Sequence, residues 1–301
     1  MQGSPAPTLA PPHGLSASAV LQLLKPVTWF PPMWAYGCGV VSAGVSTEGR
    51  WFDIALGVIL AGPLVCGTSQ VVNDWFDREV DAINEPDRPI PSGRAPGRSA
   101  LYVAIAWTLI SLAVAAWLGP VVFAAACLGL LLAWAYSAPP PRLKLNGWYG
   151  NTAVGLCYEG LPWITGAAVM AALRPSVEIF LVAFLYSAGA FGIMVLNDYK
   201  ALEGDRRLGV RTIPVQLGPE PAARLACWTM LVPQFAVVLA LAYWSMTVYA
   251  AAVTAVIAAQ VFCMPRLLED PRGNAPWYNA TGVSLYVSGM MVTAFALRGL
   301  T

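Results

Sequence analysis

Two stretches of the chain carry residue types that could do chemistry, and they echo one another. The first, Asn73 to Gly93, reads NDWFDREVDAINEPDRPIPSG. Six carboxylates fall between Asp74 and Asp87, and Arg78 and Arg88 are the basic residues of the stretch. At 100° per residue, Asp74, Asp77 and Asp81 fall within a sector of about 60° on a helix, with Asn73 beside it and Glu79 pointing away. The second stretch starts at Asn197-Asp198 and places Asp205 seven residues after Asp198, as Asp81 follows Asp74. Each copy then runs into R-x-I-P: Arg88-Pro89-Ile90-Pro91 and Arg211-Thr212-Ile213-Pro214. A duplicated pattern in equivalent places marks an internal repeat.

Carboxylates at this density offer hard oxygen ligands. These suit Mg²⁺, which takes one or two carboxylates and completes its octahedron with water and phosphate oxygens. The candidate ligands are Asp74, Asp77 and Asp81 in the first copy and Asp198, Asp205 and Glu203 in the second. Glu203 could instead pair with Arg206 or Arg207. The alternative for the first copy is a solvated acidic segment capped by Arg78 and Arg88. Basic residues accompany the acids: Arg88, Arg142, Lys144, Lys200, Arg206 and Arg211. Mixed metal ligands and cations describe a polyanion site, with diphosphate as the natural guest, since metals and Arg neutralise the charge that develops on a leaving diphosphate.

The surroundings are membrane-like. The 301 residues are 57% hydrophobic and 11% charged, against about 25% charged in soluble domains. A span needs about 20 apolar residues. Uncharged runs predict nine transmembrane helices in an all-α polytopic fold: Pro26–Thr47, Ile54–Asn73, two within Ser99–Pro141 turning at Gly119-Pro120, Tyr149–Leu173, Ile179–Asn197, two within Leu225–Pro265 turning near Tyr243-Trp244-Ser245, and Gly273–Leu297. Residues 1–19 read as a flexible Pro/Ala/Ser/Gly-rich tail and 20–301 as one membrane domain. With nine spans, 14 of the 17 basic residues lie on the side of the N-terminus and the acidic stretches. That side is then cytoplasmic and the C-terminus opposite.

Composition also excludes. A net charge of +1 leaves no nucleic-acid footprint. Six cysteines without a CxxC pair argue against zinc or a disulfide framework. The one histidine, His13, sits in the tail, so a histidine base is not expected. Glu159, in CYEGLPW, is a carboxylate in mid-span, where charge costs roughly 2.5–3.5 kcal/mol; it could face a water-filled cavity, bind a polar substrate edge, or stay protonated and pack. The Pro-rich TWFPPMW interrupts the first helix near its start and could shape a substrate entrance.

These residues resemble the UbiA superfamily of intramembrane prenyltransferases, over about residues 20–298. Asn73 and Asp77 match the family's NxxxD core, extended to Asp81. Many members have DxxxD as the second motif. Here Ala201 stands four before Asp205, so Asp198, Glu203 and Asp205 would share the task. Tyr136 followed by SAPPPRLK stands in for the family's YPxxKR-like element, with Arg142 and Lys144 as its basic members. The strings NDWFDREVDAINEPDRPIPSG, SAPPPRLKLNGWYGN and NDYKALEGDRRLGVRTIPVQLG are similar to the chlorophyll synthase branch. TWFPPMW with Phe30, SGRAPGR and YEGLPW resemble its bacteriochlorophyll-forming members, where chlorophyll-forming relatives more often carry Ile at the Phe30 position.

The resemblance implies a nine-helix UbiA-type bundle in the cell inner membrane. It implies a Mg²⁺-dependent esterification of the ring-D propionate of bacteriochlorophyllide a by a C20 prenyl group from geranylgeranyl or phytyl diphosphate. Asp77, Asp81 and Asp205 would be catalytic through the metal. Asn73, Arg88, Arg142, Lys144, Lys200, Arg206, Arg211, Phe30 and Glu159 would contact substrate. A geranylgeranyl reductase or pigment-assembly factors would be partners beside membrane lipid. The alternatives are a chlorophyllide, quinone-precursor or haem acceptor, or a secondary transporter, whose repeats and buried acids look similar.

Overall fold

The computed structural model describes residues 14–171 and 174–300, so His13, most of the expected tail and the end of the fifth expected span lie outside it. A short helix, Ala17–Leu24, opens the described chain, capped by Ser16, whose Oγ accepts from the Ala19 amide. The helix begins at Ala17, within the segment expected as tail.

Every regular element that follows is helical, and among the described residues no strand forms. Seven helical stretches are long and apolar enough to cross a membrane: Trp51–Asn84, Ser99–Leu118, Pro120–Ser137, Val177–Leu208, Pro219–Tyr243, Thr247–Glu269 and Pro271–Leu297. The chain is a multi-pass helical membrane protein. Two other expected spans are helical but shorter or broken. Phe30–Ser42 has 13 residues, because Pro26 imposes a 3₁₀ turn before it and Pro31-Pro32 fix its first turn. Gly147–Gly155 passes through a π turn, Leu156–Gly160, into Leu161–Met170.

A second π turn, Leu60–Cys66, interrupts the stretch that leads into the acidic residues. Pro63 lies inside it and lacks the amide that a regular helix would use there. The hairpins turn where the sequence indicates. Gly119, at φ 123°, precedes Pro120 at the next helix start, and Ser245 adopts φ 62° between Tyr243 and Thr247.

Close helix approach depends on small residues, as expected where lipid removes the hydrophobic drive between helices. A side chain on Gly166 would meet the Tyr36 carbonyl at 2.1 Å, and one on Gly39 the Trp163 carbonyl at 2.0 Å. Large buried aromatics fill the centre. Trp163 stacks on Tyr186 with centroids 5.6 Å apart, and Tyr186 donates to or accepts from Thr293 Oγ1 at 2.8 Å.

The R-x-I-P repeats have a structural reason. Ile90 packs on the cluster around Leu23, Val71 and Val72, and Ile213 is fully buried in the main core. Each loop is pinned by its isoleucine just after its arginine. The second loop is also tied to the segment after Pro120–Ser137. The Arg211 amide donates to the Leu145 carbonyl at 2.9 Å and the Gly147 amide to the Arg211 carbonyl at 2.8 Å. Gly147 permits this approach, since a Cβ there would meet the Ile213 nitrogen at 2.7 Å.

Candidate active site

The acidic helix Gly67–Asn84 ends at Glu85, and the following loop folds Arg88 back along it. On the far side, Val177–Asp198 breaks into a 3₁₀ turn, Tyr199–Ala201, and restarts as Leu202–Leu208. Between them lies a cavity of about 500 Å³. Asn73, Asp77, Asp81 and Arg88 line it from the first motif, Asn197, Asp198 and Asp205 from the second, and Arg142, Lys144 and Asn151 from the segment between. Both acidic motifs thus face one space.

Within it, charges compensate each other. Lys144 Nζ donates to both Asp77 carboxylate oxygens, and Arg142 Nη2 reaches Asp77 Oδ1 at 3.2 Å. Asn73 Nδ2 donates to Asp77 Oδ2 at 3.0 Å and to Ser137 Oγ at 3.1 Å, which fixes the carboxylate's rotamer. Arg88 Nη1 donates to Asp81 at 2.8 Å, while its Nε holds Glu85 at 2.7 Å. On the other wall Asn151 Nδ2 donates to Asp198 Oδ2 at 3.0 Å. Burial pushes the Lys144 ammonium below the usual lysine range, with the bond to Asp77 opposing it.

The residues suit a shared metal better than a closed one. Among the described residues no three His, Cys, Asp or Glu groups stand close enough to enclose an ion by themselves. The donor set is nevertheless all hard oxygen: Asp77, Asp81, Asp198 and Asp205 with the amides of Asn73, Asn151 and Asn197. An ion that takes one or two carboxylates and fills its remaining positions with phosphate and water matches that set.

Other expected residues lie elsewhere. Asp74 is 2% exposed and does not line the cavity. Its Oδ1 accepts from Lys25 Nζ at 2.6 Å and from Arg88 at 3.3 Å. These contacts tie Asp74 to Lys25 and Arg88 outside the cavity wall. Glu203 is a surface residue outside the cavity wall, bonded to Arg206 at 3.4 Å and Arg272 at 3.1 Å. Lys200, Arg206 and Arg211 are exposed and outside the cavity wall, and Arg211 contributes its backbone to the bridge with Asn146. Phe30 is exposed and stacks on Trp34 with centroids 5.8 Å apart. Glu159 is 3% exposed, with Oε2 unpartnered, and lines neither this cavity nor the uncharged one beside it. The arginine-capped alternative is partly realised, since Arg78 pairs with Glu79 and Arg88 with Asp81 and Glu85. Lys25 and Asn151 were not among the candidates. Their signals were a charge just before the first span and an amide just after the basic element.

A helical membrane bundle in which two carboxylate-bearing helix ends and a basic loop share one polar chamber has the architecture of an intramembrane prenyltransferase. A UbiA homologue from Archaeoglobus fulgidus, solved bound to DMAPP and Mg²⁺, has the same fold, with a TM-score of 0.71 at 22% identity over 94% of this chain and 100% of that one. The chain belongs to the UbiA prenyltransferase family, whose sequence profile matches residues 27–287. It is 59% identical over 282 residues to the bacteriochlorophyll synthase 33 kDa chain of Cereibacter sphaeroides, covering 94% of this chain and 93% of that protein. It is 39% identical over 289 residues to the chloroplastic chlorophyll synthase of Oryza sativa subsp. japonica, covering 92% and 76%. Membership decides between enzyme and transporter in favour of the prenyltransferase.

Proposed function

We propose that this prenyltransferase esterifies the propionate of bacteriochlorophyllide a with a C20 prenyl group from geranylgeranyl or phytyl diphosphate, releasing diphosphate. The observation that carries the reaction type is the single cavity in which both acidic motifs meet Arg88, Arg142 and Lys144. The pigment acceptor rests on the 59% identity to a bacteriochlorophyll synthase chain, against 39% to a chlorophyll synthase. Chlorophyllide is the second reading, on the strength of that relative.

Asp77, Asp81, Asp198 and Asp205 would hold Mg²⁺, which supplies charge neutralisation to the diphosphate oxygens when bound. Arg88, Arg142 and Lys144 bind the diphosphate, exchanging part of their bonding to Asp77 and Asp81 for phosphate oxygens. The prenyl C1–O bond breaks as the cations stabilise the departing diphosphate. The acceptor carboxylate, already ionised at neutral pH, attacks C1, so no base is required. Enclosure keeps water from the developing allylic cation. The shorter helices Phe30–Ser42 and Gly147–Met170 would complete nine crossings with the seven long ones. The acidic motifs and the N-terminus would then face the cytoplasm at the cell inner membrane, near a reductase that acts on the prenyl tail.

The test is transfer by the purified protein, with labelled prenyl diphosphate, paired pigments (bacteriochlorophyllide and chlorophyllide), and Mg²⁺ present or chelated. Esterified bacteriochlorophyllide is the expected product, lost in Asp77→Ala. Turnover of 4-hydroxybenzoate or protohaem alone would refute the pigment reading.

A further inference from the structure

Beside the charged cavity lies a second one, of about 220 Å³, with no charged side chain in its wall. The two share Asn73 and Tyr136. Most of the second wall is apolar, from Pro32, Val65, Leu132 and Met194 among others. Into it projects a cluster of polar groups: Cys66, Ser69, Gln70 and Tyr158. Gln70 Nε2 donates to the Tyr158 hydroxyl oxygen at 3.4 Å, and Cys66 Sγ lies 3.7 Å from the same oxygen. Cys66 Sγ also lies 3.4 Å from the Thr28 carbonyl, which competes for its single proton. The Tyr158 oxygen thus accepts from both Gln70 and Cys66, while its own O–H has no acceptor among the described residues.

Two features say that the cluster is built rather than incidental. A polar group in an apolar wall costs free energy unless it is hydrogen-bonded, and the Tyr158 O–H has no protein acceptor among the described residues. Both Cys66 and Tyr158 also belong to π turns, Leu60–Cys66 and Leu156–Gly160, on two different helical stretches. Such turns occur frequently at functional sites. Here two of them converge on one cavity.

We infer that the Tyr158 hydroxyl and the Gln70 amide, in the uncharged cavity, form the seat for the acceptor's carboxylate. The inference rests on the proposed function and adds to it where the nucleophile sits. Neutral donors suit this role. A lysine or arginine would pair with the carboxylate and weaken its attack, whereas one or two neutral hydrogen bonds orient one oxygen and leave the other free. That free oxygen forms the new bond to prenyl C1 while the C1–O bond to diphosphate breaks, its electron pair leaving with the diphosphate. No proton is transferred. The volume is below the roughly 300–1,000 Å³ of pockets that enclose a drug-sized ligand. The cavity therefore admits the propionate arm and keeps the macrocycle at its mouth.

The experiment uses the full chain in lipid nanodiscs, titrated with bacteriochlorophyllide and with its methyl ester, which lacks the carboxylate, and followed by pigment absorbance. Steady-state kinetics on Tyr158→Phe and Gln70→Leu accompany the titration. Wild type should bind the acid more tightly than the ester. Each variant should lose about tenfold or more in affinity for the acid, as expected on losing a hydrogen bond to a charged group, with ester binding unchanged. KM for the prenyl diphosphate should stay within about twofold, which also shows the variants to be folded. Equal losses for acid and ester, or a raised KM for prenyl diphosphate with unaltered pigment binding, would overturn the inference. Wild type that neither binds nor esterifies bacteriochlorophyllide would instead remove the proposed function.

Discussion

Asp74 offers a sharp separation between holding a metal and holding an arginine. Its carboxylate is 3% exposed and bonds to Lys25 at 2.6 Å and Arg88 at 3.3 Å, whose side chains are 23% and 26% exposed. Asp74→Asn keeps the shape and an acceptor oxygen but removes the charge. A hydrogen bond involving a charged group is worth about 1.5–3 kcal/mol. Arg88 retains Asp81 at 2.8 Å and Glu85 at 2.7 Å, so its longer bond to Asp74 is the lesser loss. The cost falls on Lys25, which is exposed enough to recover part of it from water. The net expectation is a loss of about 1–2 kcal/mol of stability, well under the 3–5 kcal/mol of a fully buried broken pair. The assay is a thermal-denaturation midpoint in detergent beside the Mg²⁺ dependence of transfer. Asp74→Asn should lower the midpoint and leave half-saturating Mg²⁺ within about twofold, whereas Asp77→Asn should raise it severalfold. Adding Lys25→Met to Asp74→Asn should cost little more, because its partner is already uncharged. An Asp74→Asn protein of wild-type stability whose Mg²⁺ requirement rises as far as that of Asp77→Asn would refute the anchoring role.

Glu79 points away from the cavity, with its side chain 87% exposed and a 3.5 Å contact to Arg78. Glu79→Gln should therefore retain transfer within about twofold, the scale of a surface pair, while Asp81→Asn should lose most of it in the same assay. Gly166→Ala should lower the thermal midpoint, since the added Cβ meets the Tyr36 carbonyl at 2.1 Å, while Gly204→Ala, with nothing within 4 Å, should be neutral or stabilising. Gln234 and Gln260 exchange hydrogen bonds at 3.1 and 3.0 Å in full burial. Gln234→Leu alone should destabilise by about 1–3 kcal/mol by leaving Gln260 unpaired, and the Gln234→Leu, Gln260→Leu pair should recover much of that in the same melt.

The helical runs were legible because charge is scarce and expensive in a bilayer, so uncharged runs and Gly-Pro turns outline the helices directly. The R-x-I-P repeats were legible as a pattern, but their buried isoleucines were not. What the sequence concealed depended on partners distant along the chain. A helical wheel groups Asp74 with Asp77 and Asp81, yet Lys25, 49 residues earlier, bonds Asp74, which does not line the cavity. Glu203 has a partner in Arg272, 69 residues later, that no local pattern announces. Asn151 carries no charge and so gave no electrostatic signal. The π turns were hidden for a local reason. Pro63 sits in an uninterrupted apolar run, and hydrophobic periodicity does not register one extra residue in a turn.

The division between the two cavities follows from the reaction's own conflict. A diphosphate needs cations, and a carboxylate nucleophile must be kept from them. In one chamber, Arg88, Arg142 and Lys144 would bind either anion. The fold separates them by placing every cation of the site on the acidic-motif side of Asn73 and Tyr136, leaving hydroxyl, amide and thiol groups on the other. The same logic accounts for the ion pairs in the chain itself. Half-buried cations left alone would be costly, so Asp77 and Asp81 balance them. A bound diphosphate with its metal then exchanges one set of compensating charges for another, while the net charge of the chamber changes little.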